Sequence, residues 1–517
     1  MRCDIKPLVK SAFIITFFAV ITRALGFLYR IFLSRELGAE SLGIYQIVLS
    51  VFAVLITLTS SGLPVTVSRM TAALNDDKDS RARDRTVTAA AAISLVLSLS
   101  ISVLILLFRH VLGFLFADPR CMPVFLVLLP AFVASSFYSA FRGGLWGRKQ
   151  FFSHSLIEFA EEVIIVLAGI TLLKGLDGLM PPYMSAAAAV SIAYALSAAL
   201  TVIIYLKRGG KISRFKGHVS PLIKSSAPVT GVRLASCILS SLIAIVLPSR
   251  LAASGLSAPQ SLALFGVMAG MVLPLLFLPG TFTGSVAMVL VPEIAETSKS
   301  GNKAKLRHRI DSAFNFATAV SCIVIPAYIA CGKQFSEALY NNAEVGSLLV
   351  NSTLLMFPLS VSGISSTILN SLGMEKTSFL SFLAGAVLLV LCIWILPQFI
   401  GIYAMTVGYL FSMMLSLTLN IAALRRHTGM SFAFLKNCLV MAGFGLLSGG
   451  LAYFTRVLLE RVTSGFFAAS AGMALCMTVS FTLAACFGIL DVSAIRFRRK
   501  QSPPKRKTSS KALTSRA

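Results

Sequence analysis

Two groups of charged side chains in this sequence could do chemistry, and both sit where charge is costly. Arg23 and Arg30 lie seven residues apart in an apolar run, 11–33. On a helix that spacing places both on one face, about 10 Å apart along the axis. Paired guanidinium groups suit an anionic head group such as a pyrophosphate, because each planar fork binds phosphate oxygens through two hydrogen bonds. Arg233 occupies a similar place in a later apolar run and completes the candidate substrate-binding set. The second group is Glu158, Glu161 and Glu162. At i, i+3 and i+4 their carboxylates fall within two turns and repel one another if all are ionised. One or more should therefore hold a proton or a cation, or meet Arg23, which makes them candidates for ion coupling. The competing readings are an Arg23 paired with a buried carboxylate to fix helix packing, and a glutamate cluster on a water-exposed helix end.

Charged groups in such surroundings need unusual supporting elements. The 517 residues are 56% hydrophobic and 13% charged, with a mean hydropathy of +0.84. A soluble protein carries about a quarter charged residues, so the chain reads as an integral membrane protein, all α-helical. The net charge of +26 would suggest nucleic acid in a soluble protein, but its distribution in alternate loops excludes that partner. Nine cysteines, mostly inside apolar segments and without CxxC spacing, indicate neither a disulfide framework nor a metal site. GxxxxGK(S/T), GxGxxG after a strand, HExxH and GxSxG are all absent, so no catalytic residue, cofactor or ATPase activity is expected. Transport would have to draw on an ion gradient such as H+ or Na+, a membrane potential or a partner.

Segments of about 20 apolar residues recur at 8–33, 42–66, 86–108, 122–141, 153–173, 183–206, 227–248, 262–291, 312–331, 345–370, 379–396, 402–424, 434–455 and 466–490, giving about fourteen spans. With the N-terminus cytoplasmic, 35 of the 46 basic residues fall on the inner side and 8 on the outer, and Arg23, Arg30 and Arg233 remain within spans. That asymmetry predicts both termini in the cytoplasm. Arg23 with Ser34-Arg35, and Arg233 with Ser249-Arg250, mark a weak parallel repeat. The expected organisation is an N-terminal six-helix lobe (1–206), a basic linker (207–226), a second six-helix lobe (227–426), helices 13 and 14 (433–490) and a basic disordered tail (491–517). Gly62-Leu-Pro64, Pro274, Pro279-Gly280 and Pro358 predict breaks or kinks within spans.

Several short stretches carry a family resemblance. Thr22-Arg23-Ala-Leu-Gly26-Phe27, Leu33-Ser-Arg35-Glu-Leu-Gly38-Ala, Leu42-Gly-Ile-Tyr45-Gln46 and Ser61-Gly-Leu-Pro64 with Ser68-Arg69 resemble the stage V sporulation protein B and polysaccharide-transporter branch of the multidrug/oligosaccharidyl-lipid/polysaccharide exporter superfamily, to which the lipid II flippase is related. The resemblance implies two six-helix lobes in a V around a central cavity, alternating access, and a C-terminal pair of helices forming a groove for a lipid tail. It also implies a lipid-linked anionic precursor as substrate, membrane lipids as surroundings, a monomer in the bacterial cytoplasmic membrane, and Arg23 as the cavity arginine. A cation-coupled multidrug exporter on the same architecture is the alternative. Two departures stand out: 262–291 has no arginine where lipid II flippases carry one, and Glu158-Phe-Ala-Glu161-Glu162 replaces the branch's Glu-Gln-x-x-Arg.

Overall fold

Gly38 sets the first turn of the architecture. It adopts φ 71° and ψ 173°, inside an otherwise continuous helix α1 (Ile5–Ser60). Only a residue without a Cβ takes this conformation at little cost, so one glycine bends the first two apolar segments against each other. The computed structural model describes residues 5–74, 80–213, 219–300, 302–430 and 433–487.

Helices α2 (Leu63–Ala73), α3 (Ser80–Leu107), α4 (Arg109–Leu112), α5 (Cys121–Val127), α6 (Leu129–Gly147), α7 (Phe151–Gly175) and α8 (Pro182–Lys207) follow and pack with α1 into a first bundle. A second contains α9 (Val219–Ala253), α10 (Ala258–Gly266), a π-helical turn (Val267–Val272), α11 (Leu273–Phe277), α12 (Gly280–Lys299), α13 (Lys303–Tyr340), α14 (Ala343–Ser352), α15 (Met356–Ser371), α16 (Glu375–Ile395), α17 (Pro397–Ile400) and α18 (Tyr403–Thr428). Finally α19 (Ala433–Leu459) and α20 (Gly465–Cys486) pack on each other and on α13. There Gly445 and Gly449 admit Pro326 of α13 close to the α19 backbone. No strand occurs among the described residues.

Twelve of these segments are long and apolar enough to cross a membrane. The sequence count of fourteen treats Ile14–Ala73 as two spans and includes α7, whose three glutamates keep it outside the twelve. The outer surface is apolar: Leu107, Leu439 and Leu446 are 70%, 76% and 78% exposed, as expected where lipid rather than water is the solvent. The chain is a multi-pass membrane protein. The expected breaks occur as chain interruptions: α1 ends just before Gly62, α11 and α12 are split at Leu278–Pro279, and the span containing Pro358 is interrupted between α14 and α15. Pro326, which lies inside α13, did not stand out in the sequence. Helix α9 begins at Val219, within the stretch read as linker; 214–218 and the basic tail lie outside the described residues.

The two bundles meet mainly through α1, α2 and α3 on one side and α9, α10, the π turn and α13 on the other, whereas α6, α7, α8, α12, α15 and α18 make their main contacts within their own bundle. Near the Gly38 turn the approach is backbone to backbone. A Cβ on Gly43 would stand 2.1 Å from the Leu262 carbonyl oxygen, and one on Gly266 would stand 2.1 Å from that of Ala39. At the opposite end Arg69 of α2 donates to the Ser225 hydroxyl of α9. Between α4 and α5, burial pushes the Asp118 carboxyl up, but hydrogen bonds from the Arg120 side chain and backbone outweigh it and hold the group below the usual carboxylate range. Arg120 also reaches Glu40 at 2.6 Å, tying this loop to α1.

Candidate functional site

Helix α1 exposes two stripes before Gly38, and they differ in chemistry. Phe17, Val20 and Leu28 are 52%, 60% and 62% exposed and form an apolar stripe. At about 100° per residue, Arg23 and Arg30 fall roughly a third of a turn from it and are also exposed. Among the described residues neither has a hydrogen bond or an ion pair. Arg23 therefore does not meet a glutamate of α7, and its pairing with a buried carboxylate is not realised.

Gly26 sits one turn from each arginine, and α7 fills the gap it leaves. The Glu162 Oε1 atom lies 2.6 Å from the position a Gly26 Cβ would occupy. Its carboxylate thus stands beside the arginine stripe, within electrostatic reach of Arg30. Farther along, the Tyr29 hydroxyl packs against Gly169 of α7, so α1 and α7 interlock at two glycines.

The other two glutamates turn away. Arg142 of α6 binds Glu158 at 2.7 Å and Glu161 at 3.4 Å. The Tyr138 hydroxyl donates to Glu161 Oε2 at 2.6 Å, and His154 Nε2 lies 3.7 Å from Glu158. The three carboxylates are thus divided between an arginine-paired couple and a lone member facing α1. Among the described residues no group of three or more His, Cys, Asp or Glu side chains is placed to hold a metal ion.

Arg233 lies on the other bundle. Its Nη1 reaches the Ser61 carbonyl oxygen at 3.5 Å, and it lines a cavity of about 480 Å³ with Thr57, Ser60, Ser61, Ser236 and Cys237. It faces the break between α1 and α2, with no bond to the Arg23 stripe.

Arg35 bridges the bundles near the Gly38 turn. Its Nε and Nη2 donate to the carbonyl oxygens of Leu339 and Ala338, each at 2.8 Å. These belong to the last turn of α13, which stops at Asn341 in the left-handed region and leaves carbonyls without helical partners. A cation also suits the negative end of the helix dipole. Arg250 makes a comparable contact within its own bundle, to Trp394 O at 3.0 Å. The sequence marked Arg35 only as part of the repeat and the resemblance, and its role as a cap on a helix of the opposite bundle was not visible there. Replacing Arg35 with Ala removes hydrogen bonds from a charged donor, worth about 1.5–3 kcal/mol, and is expected to loosen this end. Ser34 is 2% exposed, so a thiol introduced there should react with a membrane-impermeant reagent about tenfold faster or more in the Arg35→Ala background. An unchanged rate would mean that the contact does not hold the bundles closed.

Comparison with known proteins matches residues 8–298 to a family model described as polysaccharide biosynthesis protein. The chain belongs to that family. Stage V sporulation protein B of Bacillus subtilis (strain 168) is 23% identical over 502 residues, covering 92% of this chain and 96% of its own length. Among solved structures, the lipid II flippase MurJ in an inward closed conformation superposes with a TM-score of 0.72 at 13% identity, over 93% of this chain and 99% of that one. An inward-facing multidrug resistance MATE family transporter gives 0.65 at 15% identity, over 80% and 95%. The fold is therefore the one shared by these membrane transporters.

For this member of the polysaccharide biosynthesis family, two residues of the site escaped the sequence reading. Arg142 counted there as an inner loop charge, yet it stands inside α6 with its side chain 17% exposed and pairs with Glu158 and Glu161. Its position directly after the apolar run 122–141, with Gly143, Gly144, Leu145 and Trp146 following, was the available signal. Gly26 was seen only as part of a family pattern; its work is to admit the Glu162 carboxylate.

Proposed function

We propose that the protein moves an anionic lipid, a polyprenyl-pyrophosphate-linked cell-wall precursor or oligosaccharide lipid, across the bacterial cytoplasmic membrane by alternating access. One observation carries this reading: two arginines that make no hydrogen bond or ion pair among the described residues, on one exposed face of α1, in a chain whose surroundings are apolar. An unpaired charge at membrane depth costs about 2.5–3.5 kcal/mol, and an anionic head group offsets that cost only while it is bound. Arg23 and Arg30 would hold the pyrophosphate, and Arg233 would meet the same head group from the second lobe. The polyprenyl chain would lie along α19 and α20, where the exposed leucines of α19 and Phe467 and Phe481 of α20 offer an apolar track.

With both termini cytoplasmic, the Gly38 end faces outward, and the Arg35 contact closes that side. The working unit is a monomer of two six-helix lobes with a two-helix addition, and Glu158, Glu161 and Glu162 form the part of the site that couples movement to H+ or Na+. The similarity to stage V sporulation protein B supports a role in spore or wall peptidoglycan synthesis.

The glutamates alone would fit a cation-coupled drug exporter, but Arg142 already neutralises part of their charge, and the arginine stripe repels a cationic drug. Purified protein in vesicles is expected to move a polyprenyl-pyrophosphate-linked sugar faster than the polyprenyl monophosphate, and to leave a cationic dye where it is. Dye movement without lipid movement would favour the drug exporter.

A further inference from the structure

The place of Glu162 carries a consequence for substrate binding, which rests on reading the arginine stripe as the head-group site. We infer that Glu162 is the built-in anion beside the arginine stripe, acting across space chiefly on Arg30, and that it must take up a proton when the anionic head group docks.

Gly26 lies between the two arginines in the helix, and the Glu162 carboxylate fills the space where any other residue would have a side chain. Without ligand, two guanidinium charges and one carboxylate leave this face at +1. A pyrophosphate diester brings two negative charges and takes it to −1 if Glu162 stays ionised, but to zero if Glu162 is protonated. An uncompensated charge is expensive where water is scarce, so the neutral arrangement is favoured and one proton from solvent accompanies the ligand. The proton adds to a carboxylate oxygen, and no bond breaks.

The neighbours strengthen this bias. On α7 itself Glu161 and Glu158 add negative charge, offset by Arg142 of α6. The remaining groups facing Glu162 are phenols: Tyr29 and Tyr45 of α1 and Tyr194 of α8. These carry no charge near neutral pH. Arg30 is the cation whose field reaches Glu162, and the head group would claim that same cation. Ligand and Glu162 therefore compete for one charge.

The test is binding of a polyprenyl-pyrophosphate-linked N-acetylhexosamine to the purified full-length protein in detergent. As a diester this probe has no group that titrates near neutral pH. Wild-type affinity is expected to rise as pH falls from about 8 to 6, by up to about tenfold per pH unit for a single linked proton. Glu162→Gln is expected to bind tightly at both ends of the range, with little pH dependence. In weakly buffered solution the wild type should take up to about one proton per ligand bound, a measurement that needs no variant. No proton uptake by the wild type, or a Glu162→Gln protein that binds more weakly at every pH, would overturn the inference. If the Arg23→Ala, Arg30→Ala double variant binds as well as wild type, the head-group site itself is wrong. If that variant loses binding while Glu162→Gln keeps the wild-type slope, only the counter-anion role fails.

Discussion

Replacing Arg23 with Ala is expected to abolish transport while leaving the protein at least as well inserted as the wild type. The two effects have opposite signs because the side chain does different things in them. For folding, an arginine without a carboxylate partner on an apolar helix is a burden, and removing it relieves an insertion cost of about 2.5–3.5 kcal/mol. For function, each charge-assisted hydrogen bond to a phosphate is worth about 1.5–3 kcal/mol, so losing one arginine should weaken head-group binding about ten- to a hundredfold. Arg30→Ala is expected to behave likewise, and the double variant to show no measurable transport. The measurement is outward exposure of a labelled lipid-linked precursor in cells or vesicles, beside the amount of protein in the membrane. Unchanged transport by well-inserted Arg23→Ala protein would sink the proposed function. A packing residue would show the reverse pattern, losing stability first.

The second large effect is expected at Arg148, and it falls on stability. Its guanidinium is ion-paired with Asp84, with the two side chains 11% and 6% exposed. The Tyr205 hydroxyl donates to the same carboxylate at 2.8 Å, and Arg148 stacks on the Tyr205 ring at 4.9 Å. This network joins α3, α6 and α8. Arg148→Met keeps the length of the side chain but leaves Asp84 buried with a phenol as its remaining partner. Breaking one half of a buried pair costs about 3–5 kcal/mol, so the thermal midpoint in detergent should fall markedly. The double variant Asp84→Asn, Arg148→Met leaves no charge alone and should recover part of the loss. An unchanged midpoint in the single variant would show that the pair is wetted and contributes little.

The charge network around Arg148 also shows where loop counting misleads. Arg142, Arg148 and Lys149 read as three inner loop charges, and their sum helped to orient the chain. Arg142 and Arg148 are instead inside or at the end of α6 and bonded to carboxylates of other helices. A count of basic residues has no term for pairing, because the partners lie 16 and 64 positions away along the chain. Likewise Arg456 stood among outer loop charges but is 7% exposed and bonded to Gln334.

The sequence by itself determined that this is an all-helical membrane protein, where its breaks fall, and that Arg23 and Arg30 share one helix face. Those properties follow from hydropathy, proline and glycine placement and the 3.6-residue period, all of which act within about 30 neighbouring residues. Family membership was also legible, because it rests on short patterns between Thr22 and Arg69. Only the tertiary structure decided which of the three glutamates faces the arginines. Glu161 and Glu162 are adjacent in the chain, so their side chains leave the helix about 100° apart. Packing of α7 between α6 and α1 then sends one to Arg142 and the other to Gly26. The same holds for Arg35, whose partners are carbonyl groups more than 300 positions away. Backbone acceptors carry no sequence signature, and which helix end lies opposite an arginine depends on how two bundles dock.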